Sequence, residues 1–321
     1  MSTVLILGGT AEARALAAEL VPLGRRVVSS LAGRVTNPRL PVGEVREGGF
    51  GGPAGLAAWM RSEGVDTLVD ATHPFAERMS AAAARASAQT GIPLLILRRP
   101  GWHEGPDDRW HRVPTLQAAA TALSREPERW WAGKGATPKE RDGREPEREW
   151  TGGGAAPKER DGREPEREWA GRGAAPEEPG GREPGREWTG KGAAPEDRDG
   201  REPGLRVFLT TGRRSLPVFA GLPGVWILAR SVDPPEPPVP GNVRVLLDRG
   251  PYTVEGERAL LREHRIGVLV TKDSGGPMTT AKLVAARELG VPVVMVDRPQ
   301  PPPGVRLVES VGAAVAWVQA G

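Results

Sequence analysis

Short aliphatic runs alternate with amphipathic stretches along two parts of the chain. The aliphatic runs predict strands at residues 3–8, 25–31, 43–48, 66–72 and 93–99, and again at residues 205–212, 225–230, 243–249, 267–274 and 293–298. Helical patterns fill the intervals at residues 11–20, 52–64, 75–91, 115–126, 254–264 and 279–290. Continuous apolar strands that alternate with helices are typical of parallel sheets covered on both faces. The pattern predicts an α/β protein with two Rossmann-like domains, residues 1–114 and 115–321.

A repeat interrupts this pattern in the second domain. Four near-copies of a 19-residue unit cover residues 131–206, beginning at Trp131, Trp150, Trp169 and Trp188. Leu205 is their only Leu, Ile, Val, Met or Phe, so they cannot bury enough apolar surface to offset the entropy lost on ordering. We predict a disordered insert at residues 127–204; an ordered repeat or a tryptophan-mediated docking segment is the alternative. The insert joins a helix to a strand, away from the sheet edge where ligands bind in open α/β sheets.

Composition adds mainly exclusions. The 321 residues include no cysteine, which excludes disulfides, thiolate metal sites and a cysteine nucleophile. A net charge of +3 without a basic stripe argues against a nucleic-acid partner. No apolar run reaches the roughly 18 residues that span a bilayer, and no signal peptide is recognisable. We expect a cytoplasmic protein without membrane or metal sites, and the sequence is compatible with a monomer.

The turn after the first strand has the composition of a phosphate site. Gly8, Gly9 and Thr10 follow a buried strand and precede a helix, where backbone N–H groups can receive a phosphate. The match to the G-x-G-x-x-G dinucleotide fingerprint is partial. The alternative is a tight turn in which Thr10 caps the helix.

The end of the second strand bears on cofactor choice. In dinucleotide folds an acidic residue there selects NAD, whereas arginine accommodates the 2′-phosphate of NADP. Residues 29–34 contain Ser29, Ser30 and Arg34 but no acid. The segment favours NADPH, the alternative being an ordinary solvated arginine.

Polar residues also follow several other strands. Thr72 and His73 end the fourth strand, where we expect contact with a ligand, although a lone histidine is more often structural. The strand ends of the second domain carry candidate ligand-binding residues: Thr211, Gly212, Arg213, Arg249, Lys272, Ser274 and Gly275. Because arginine holds carboxylates in a bidentate fork, this set suits a polycarboxylate or phosphate ligand; solvated loop charges are the alternative.

Five ordered blocks, GGTAEAR, DATHPFA, LTTGRR, DRGPYT and TKDSGGPMTTAKLVAARELGVPVVMVDRP, resemble the precorrin-6A reductase family, including its cobalt-precorrin-6A variant. The resemblance covers nearly all of residues 1–123 and 205–321. It implies two Rossmann-like domains with NADPH and the tetrapyrrole in the cleft between them. The implied activity is reduction of one C=C bond during cobalamin synthesis, by an oxidoreductase acting on CH–CH.

The resemblance also implies residue roles. Gly8, Gly9 and Thr10 would meet the pyrophosphate, Ser30 and Arg34 the 2′-phosphate, and Thr72 and His73 the nicotinamide. The second-domain set named above would face the substrate's carboxylates or the far end of the cofactor. Lys272, His73 and solvent are the candidate proton donors. Two alternatives remain: a two-domain glycosyltransferase-like enzyme, and a nucleotide-sensing or scaffolding protein that works through the repeats.

Overall fold

The computed structural model describes residues 2–33, 39–125, 186–188 and 204–321. Its first elements are β1 (Thr3–Leu7), α1 (Ala11–Leu20), β2 (Arg26–Leu31), β3 (Glu44–Glu47), α2 (Pro53–Ser62), β4 (Thr67–Asp70), α3 (Glu77–Thr90) and β5 (Leu94–Leu97). They are followed by β6 (Trp110–Val113), α4 (Leu116–Arg125), β7 (Arg186–Trp188), β8 (Leu205–Leu209), α5 (Leu216–Phe219), β9 (Val225–Ser231) and β10 (Val243–Leu247). The last are α6 (Val254–Glu263), β11 (Val268–Lys272), α7 (Ala281–Glu288), β12 (Val293–Val296), β13 (Arg306–Val308) and α8 (Val311–Ala320).

The first sheet has six strands in the order β13-β5-β4-β1-β2-β3, and every neighbouring pair is parallel. Side chains of β1 alternate between two cores: Val4 and Ile6 pack with α1, while Leu5 and Leu7 pack with α2. All five residues of β1 are buried. A strand apolar on both faces needs helices on both faces, which is why the sequence shows an uninterrupted apolar run here.

The second sheet has seven strands in the order β6-β12-β11-β8-β9-β10-β7. Its strands are parallel except for β7, which runs antiparallel to β10 at the edge. Here too the central strands separate two cores, with Val207 and Val270 on one face and Phe208 and Leu269 on the other. The predicted α/β class with two parallel sheets is confirmed.

The assignment of strands to the two sheets does not follow the predicted boundary between residues 114 and 115. β6 precedes that boundary yet pairs with β12 in the second sheet. β13 comes near the end of the chain yet pairs with β5 in the first sheet, and α8 packs Ala314 and Val318 into the core beside α1. The sequence pattern missed both strands because they are only 4 and 3 residues long and contain arginine.

The insert predicted to be disordered lies outside the described residues, except for Arg186–Trp188 and Gly204. Within the insert, Arg186–Trp188 forms β7, which pairs antiparallel with β10. Among the described helices, none is both long and apolar enough to cross a membrane.

Candidate active site

Strands of both sheets end at one cavity of about 770 Å³. Six of its lining residues are cationic: Arg14, Arg39, Arg78, Arg214, Arg249 and Lys272. No aspartate or glutamate belongs to the part of the lining that the structure describes. The cavity therefore presents a field of one sign, which attracts phosphates and carboxylates.

The turn between β1 and α1 opens into this cavity. Gly8 and Gly9 line it; Gly9 has a φ of 106°, and a Cβ added there would meet no atom within 4 Å. Thr10 caps α1 instead: its Oγ1 accepts a hydrogen bond from Ala13 N at 3.1 Å and donates one to Ala71 O at 2.7 Å. The two glycines expose backbone to a ligand. Thr10 was also predicted to bind the cofactor, but it is absent from the described lining because its hydroxyl forms hydrogen bonds within the protein.

The end of β2 presents Ser29 rather than Ser30 to the cavity. Side chains alternate between the faces of a strand, and Ser30 instead lies 3.4 Å from Arg46 Nη1. The Ser29 hydroxyl is buried without a hydrogen-bond partner in the described structure. Arg34 lies outside the described residues, and the cation seen on this side of the lining is Arg39.

Thr72 and His73 both line the cavity, just beyond the end of β4. The buried Asp70 fixes Thr72, because its Oδ1 accepts hydrogen bonds from the Thr72 backbone N at 3.1 Å and from Thr72 Oγ1 at 2.6 Å. His73 Nδ1 accepts a hydrogen bond from Phe75 N at 3.2 Å. This bond leaves Nε2 as the position for the proton of a neutral imidazole.

His73 is unsuited to act as an imidazolium acid at neutral pH. Its ring is exposed to the cavity yet closely surrounded by protein atoms. Loss of hydration lowers the pKa of His73 to about 3, and the positive charges of Arg99 and Lys272 act in the same direction. His73 is therefore neutral at physiological pH and can offer a ligand a hydrogen bond.

Lys272 is a half-buried cation of the cavity lining at the end of a strand. It ends β11, and its Nζ donates a hydrogen bond to Thr211 O at 3.1 Å and lies 5.3 Å from the centroid of the Phe75 ring. Burial lowers the pKa of the Lys272 ammonium below its usual range. A lysine with a lowered pKa gives up its proton more readily.

The other residues predicted in the second domain are divided by the structure. Thr211 and Arg249 line the cavity, whereas Gly212 and Arg213 are absent from its described lining. Arg213 Nη1 lies 3.3 Å from both Asp233 Oδ2 and Pro234 O, so acceptors within the protein hold it. Its neighbour Arg214 takes the place predicted for Arg213.

Ser274 and Gly275 also fall outside the described lining, contrary to prediction. They pack against the segment that leads from β5 to β6. Ser274 O accepts a hydrogen bond from Arg99 Nε at 2.8 Å, and a Cβ on Gly275 would lie 2.1 Å from Pro100 O. This glycine allows two stretches of backbone to approach closely.

Four cavity cations were missed from the sequence: Arg14, Arg39, Arg78 and Arg214. Arg14 and Arg78 lie in the first turns of α1 and α3, and the rule that ligands meet the carboxyl ends of strands also applies to the helix starts that follow them. That signal could have found these two. Among the described residues, no group of three or more His, Asp or Glu is arranged to hold a metal ion.

The strand ends of two parallel sheets share one cation-lined cavity, and an open glycine turn at a helix N-terminus faces this cavity. These features define a Rossmann-like protein whose cavity suits anionic ligands. The model of the precorrin-6x reductase family, CbiJ/CobK, matches residues 3–147 and 171–319. The chain belongs to this family.

Individual relatives agree with this assignment. The chain is 41% identical over 319 residues to a precorrin-6A reductase of Rhodococcus erythropolis, covering 99% of this chain and 98% of the relative. A precorrin-6A reductase of Mycobacterium tuberculosis is 39% identical over 319 residues, which again cover 99% of this chain and 98% of the relative. The solved structure of CobK precorrin-6A reductase superposes with a TM-score of 0.70 at 34% identity, covering 100% of this chain and 97% of that one.

Proposed function

We propose that this protein reduces one C=C bond of precorrin-6A to the 6B form in cobalamin biosynthesis, with NADPH as the reductant. The observation that carries the proposal is the cavity itself, whose described lining contains six cations and no acid. Both ligands of the proposed reaction are polyanions: the tetrapyrrole has acetate and propionate groups, and the cofactor has phosphates. We propose precorrin-6A rather than its cobalt-containing form as the substrate, because the relatives described above are precorrin-6A reductases.

The first-sheet side of the cavity fits a dinucleotide. Gly8 and Gly9 bring open backbone to the N-terminus of α1, which suits a pyrophosphate. Ser29 has a buried hydroxyl without a partner in the described structure, and Arg14 and Arg39 supply positive charge for a 2′-phosphate. These residues replace Thr10 and Ser30 in the proposed cofactor site, and Arg34 stays a prediction.

When bound, the nicotinamide supplies a hydride equivalent to the C=C bond. The chain must then orient the tetrapyrrole and deliver a proton to the neighbouring carbon. Arg78, Arg214 and Arg249 are placed to hold carboxylates, and His73 can donate a hydrogen bond within the cavity. The Thr72 hydroxyl already donates to Asp70, so it can only accept a hydrogen bond from a ligand. Holding both ligands in a fixed orientation lowers the entropic barrier of the reaction.

Lys272 is the proposed proton donor, and His73 is not. The lowered pKa of the Lys272 ammonium makes it a stronger acid than an ordinary lysine, whereas the lowered pKa of His73 leaves a neutral ring. Burial thus favours release of a proton from the Lys272 ammonium during turnover.

The proposal is tested by titrating the purified protein with NADPH and with NADH while following nicotinamide fluorescence. The same protein is then mixed with precorrin-6A to follow loss of the reduced nicotinamide. We expect tighter binding of NADPH and one hydride consumed per tetrapyrrole. If neither NADPH nor NADH binds, the reductase proposal is rejected. Equal affinities for the two nucleotides would reject only the proposed 2′-phosphate site.

A shortened chain tests the scaffolding alternative. Deleting residues 133–184 leaves β7 and its pairing with β10 in place. The proposed reductase keeps its NADPH affinity and turnover after this deletion. A protein that works through its repeats would lose its function.

A further inference from the structure

One arginine outside the cavity lining joins the two sides of the site. Arg99 lies in the segment between β5 and β6, and its guanidinium contacts two separate elements. Nη1 pairs with Glu12 Oε2 at 2.7 Å, and Nε donates to Ser274 O at 2.8 Å. Glu12 belongs to the first turn of α1, and Ser274 follows Lys272 by two positions. The side chain therefore connects the glycine turn of the first sheet with the loop that follows the proposed proton donor.

The surroundings of Arg99 hold it in this position. Its own carbonyl oxygen accepts a hydrogen bond from Arg298 Nη1 at 2.8 Å, and Arg298 Nη2 lies 3.2 Å from Asp273 Oδ1. Gly276 leaves room for the side chain, since a Cβ there would lie 2.8 Å from Arg99 Cδ. With 18% of the Arg99 side chain exposed and 22% of that of Glu12, the pair is only partly open to water.

We propose that Arg99 is a positioning residue, which fixes the distance between the cofactor turn and the Lys272 loop by bridging Glu12 and Ser274. This inference rests on the proposed function, because it assigns the two bridged elements to the two ligands. Arg99 is absent from the described lining, so it acts through α1 and the loop rather than by touching substrate. A shift of about 1 Å between reacting groups can lower a rate about 10²-fold.

The test compares Arg99→Gln, Arg99→Lys and Glu12→Gln. Lysine has one nitrogen and can keep the ion pair with Glu12 or the bond to Ser274 O, but not both in the arginine geometry. We expect kcat to fall on the order of 10- to 100-fold in Arg99→Gln, and less in Arg99→Lys and Glu12→Gln. The dissociation constants of NADPH alone and of precorrin-6A alone should stay within about twofold of the wild-type values, because each ligand keeps its direct contacts.

The primary deuterium isotope effect on kcat separates positioning from partial unfolding. A slower hydride step becomes more rate-limiting, so the isotope effect with NADPH deuterated at the transferred position should increase. A smaller folded fraction lowers apparent kcat but leaves the isotope effect unchanged. Arg258→Gln is the matched control, because Arg258 forms a 2.7 Å ion pair with Glu288 on the protein surface and should leave kcat and the isotope effect unchanged.

The outcomes distinguish the two proposals. If the wild-type protein transfers no hydride from NADPH, the proposed function fails and the Arg99 proposal fails with it. If the wild-type protein is active and Arg99→Gln keeps the wild-type kcat, or loses kcat with an unchanged isotope effect, the Arg99 proposal alone is overturned. Should Arg99→Gln fail to fold, Glu12→Gln carries the same test, since it removes only the α1 end of the bridge.

Discussion

Two glycine pairs follow buried parallel strands in this protein, and the structure uses them differently. Gly8 and Gly9 follow β1 and line the cavity, and a Cβ at Gly9 would meet nothing within 4 Å. Gly275 and Gly276 come shortly after β11 and lie against the segment between β5 and β6. There a Cβ on Gly275 would meet Pro100 O at 2.1 Å. The first pair leaves room for a ligand, and the second for another part of the chain.

The difference shows what a strand followed by glycines does and does not establish. Both pairs have positive φ where side chains are disfavoured, at Gly9 and at Gly275. What separates them is a contact between distant parts of the chain: Arg99 and Ser274 are 175 positions apart in sequence. The local pattern is the same, so only tertiary structure tells a ligand-binding turn from a close backbone contact.

The largest expected effect is the loss of stability in Gly275→Ala. The new Cβ would overlap the Pro100 carbonyl, and neither backbone segment can move without disturbing the contacts around Arg99. We expect the free energy of unfolding to fall by about 3 kcal/mol or more, in the range of severe backbone clashes, measured by urea denaturation. Gly276→Ala is the matched control: its Cβ would lie 2.8 Å from a side-chain atom, Arg99 Cδ, rather than from backbone, and should cost less. Equal losses would contradict the assigned backbone contact.

Next in size is the effect of Lys272→Gln on turnover. General acid catalysis contributes about 10²- to 10⁴-fold, so we expect kcat to fall about 10²-fold while NADPH affinity changes little. Burial lowers the pKa of Lys272, so in the wild type kcat should decline as pH rises through a value below the usual lysine range. The variant should lose this decline. A transition near pH 6.5 that disappears in His73→Asn would instead assign the proton to His73, whose pKa of about 3 predicts none.

Gly9→Ala should weaken cofactor binding and, unlike Gly275→Ala, introduces no backbone clash. The added Cβ clashes with no atom, but the φ of 106° is strained for alanine, at a cost of about 1–3 kcal/mol. The methyl group also occupies the space where a phosphate would approach the backbone. We expect NADPH affinity to fall about 10-fold, measured by fluorescence titration, with precorrin-6A affinity as the internal control. Unchanged NADPH affinity would remove the glycine turn from the cofactor site.

The sequence predicted the central part of the fold because burial dictates it. β1, β4, β8 and β11 are almost entirely buried, and a strand covered on both faces must be apolar throughout. The strands β6 and β13 are short and partly polar, and their sheet is chosen by distant partners, β12 and β5. No local pattern carries that information.

The sequence indicated which strand ends meet the cavity, but not which side chain at each strand end lines it. Thr72, His73, Thr211, Arg249 and Lys272 lie on the cavity as expected. At two positions the cavity is lined by the neighbouring residue instead: Ser29 in place of Ser30, and Arg214 in place of Arg213. Ser29 and Ser30 point to opposite faces of one strand, and a pattern of residue types does not fix which face meets the ligand.

The smallest effect is expected at the adjacent arginines, Arg213 and Arg214. Arg214 lines the cavity, while Arg213 lies beside Asp233 and Pro234. Loss of one charge-assisted hydrogen bond costs about 1.5 kcal/mol, so Arg214→Ala should raise the KM for precorrin-6A about 10-fold. Arg213→Ala should change KM by less than about twofold. Arg213 and Arg214 carry the same charge on adjacent positions, so a difference between the variants reports side-chain direction rather than net charge. The reverse order would restore Arg213 as the substrate ligand.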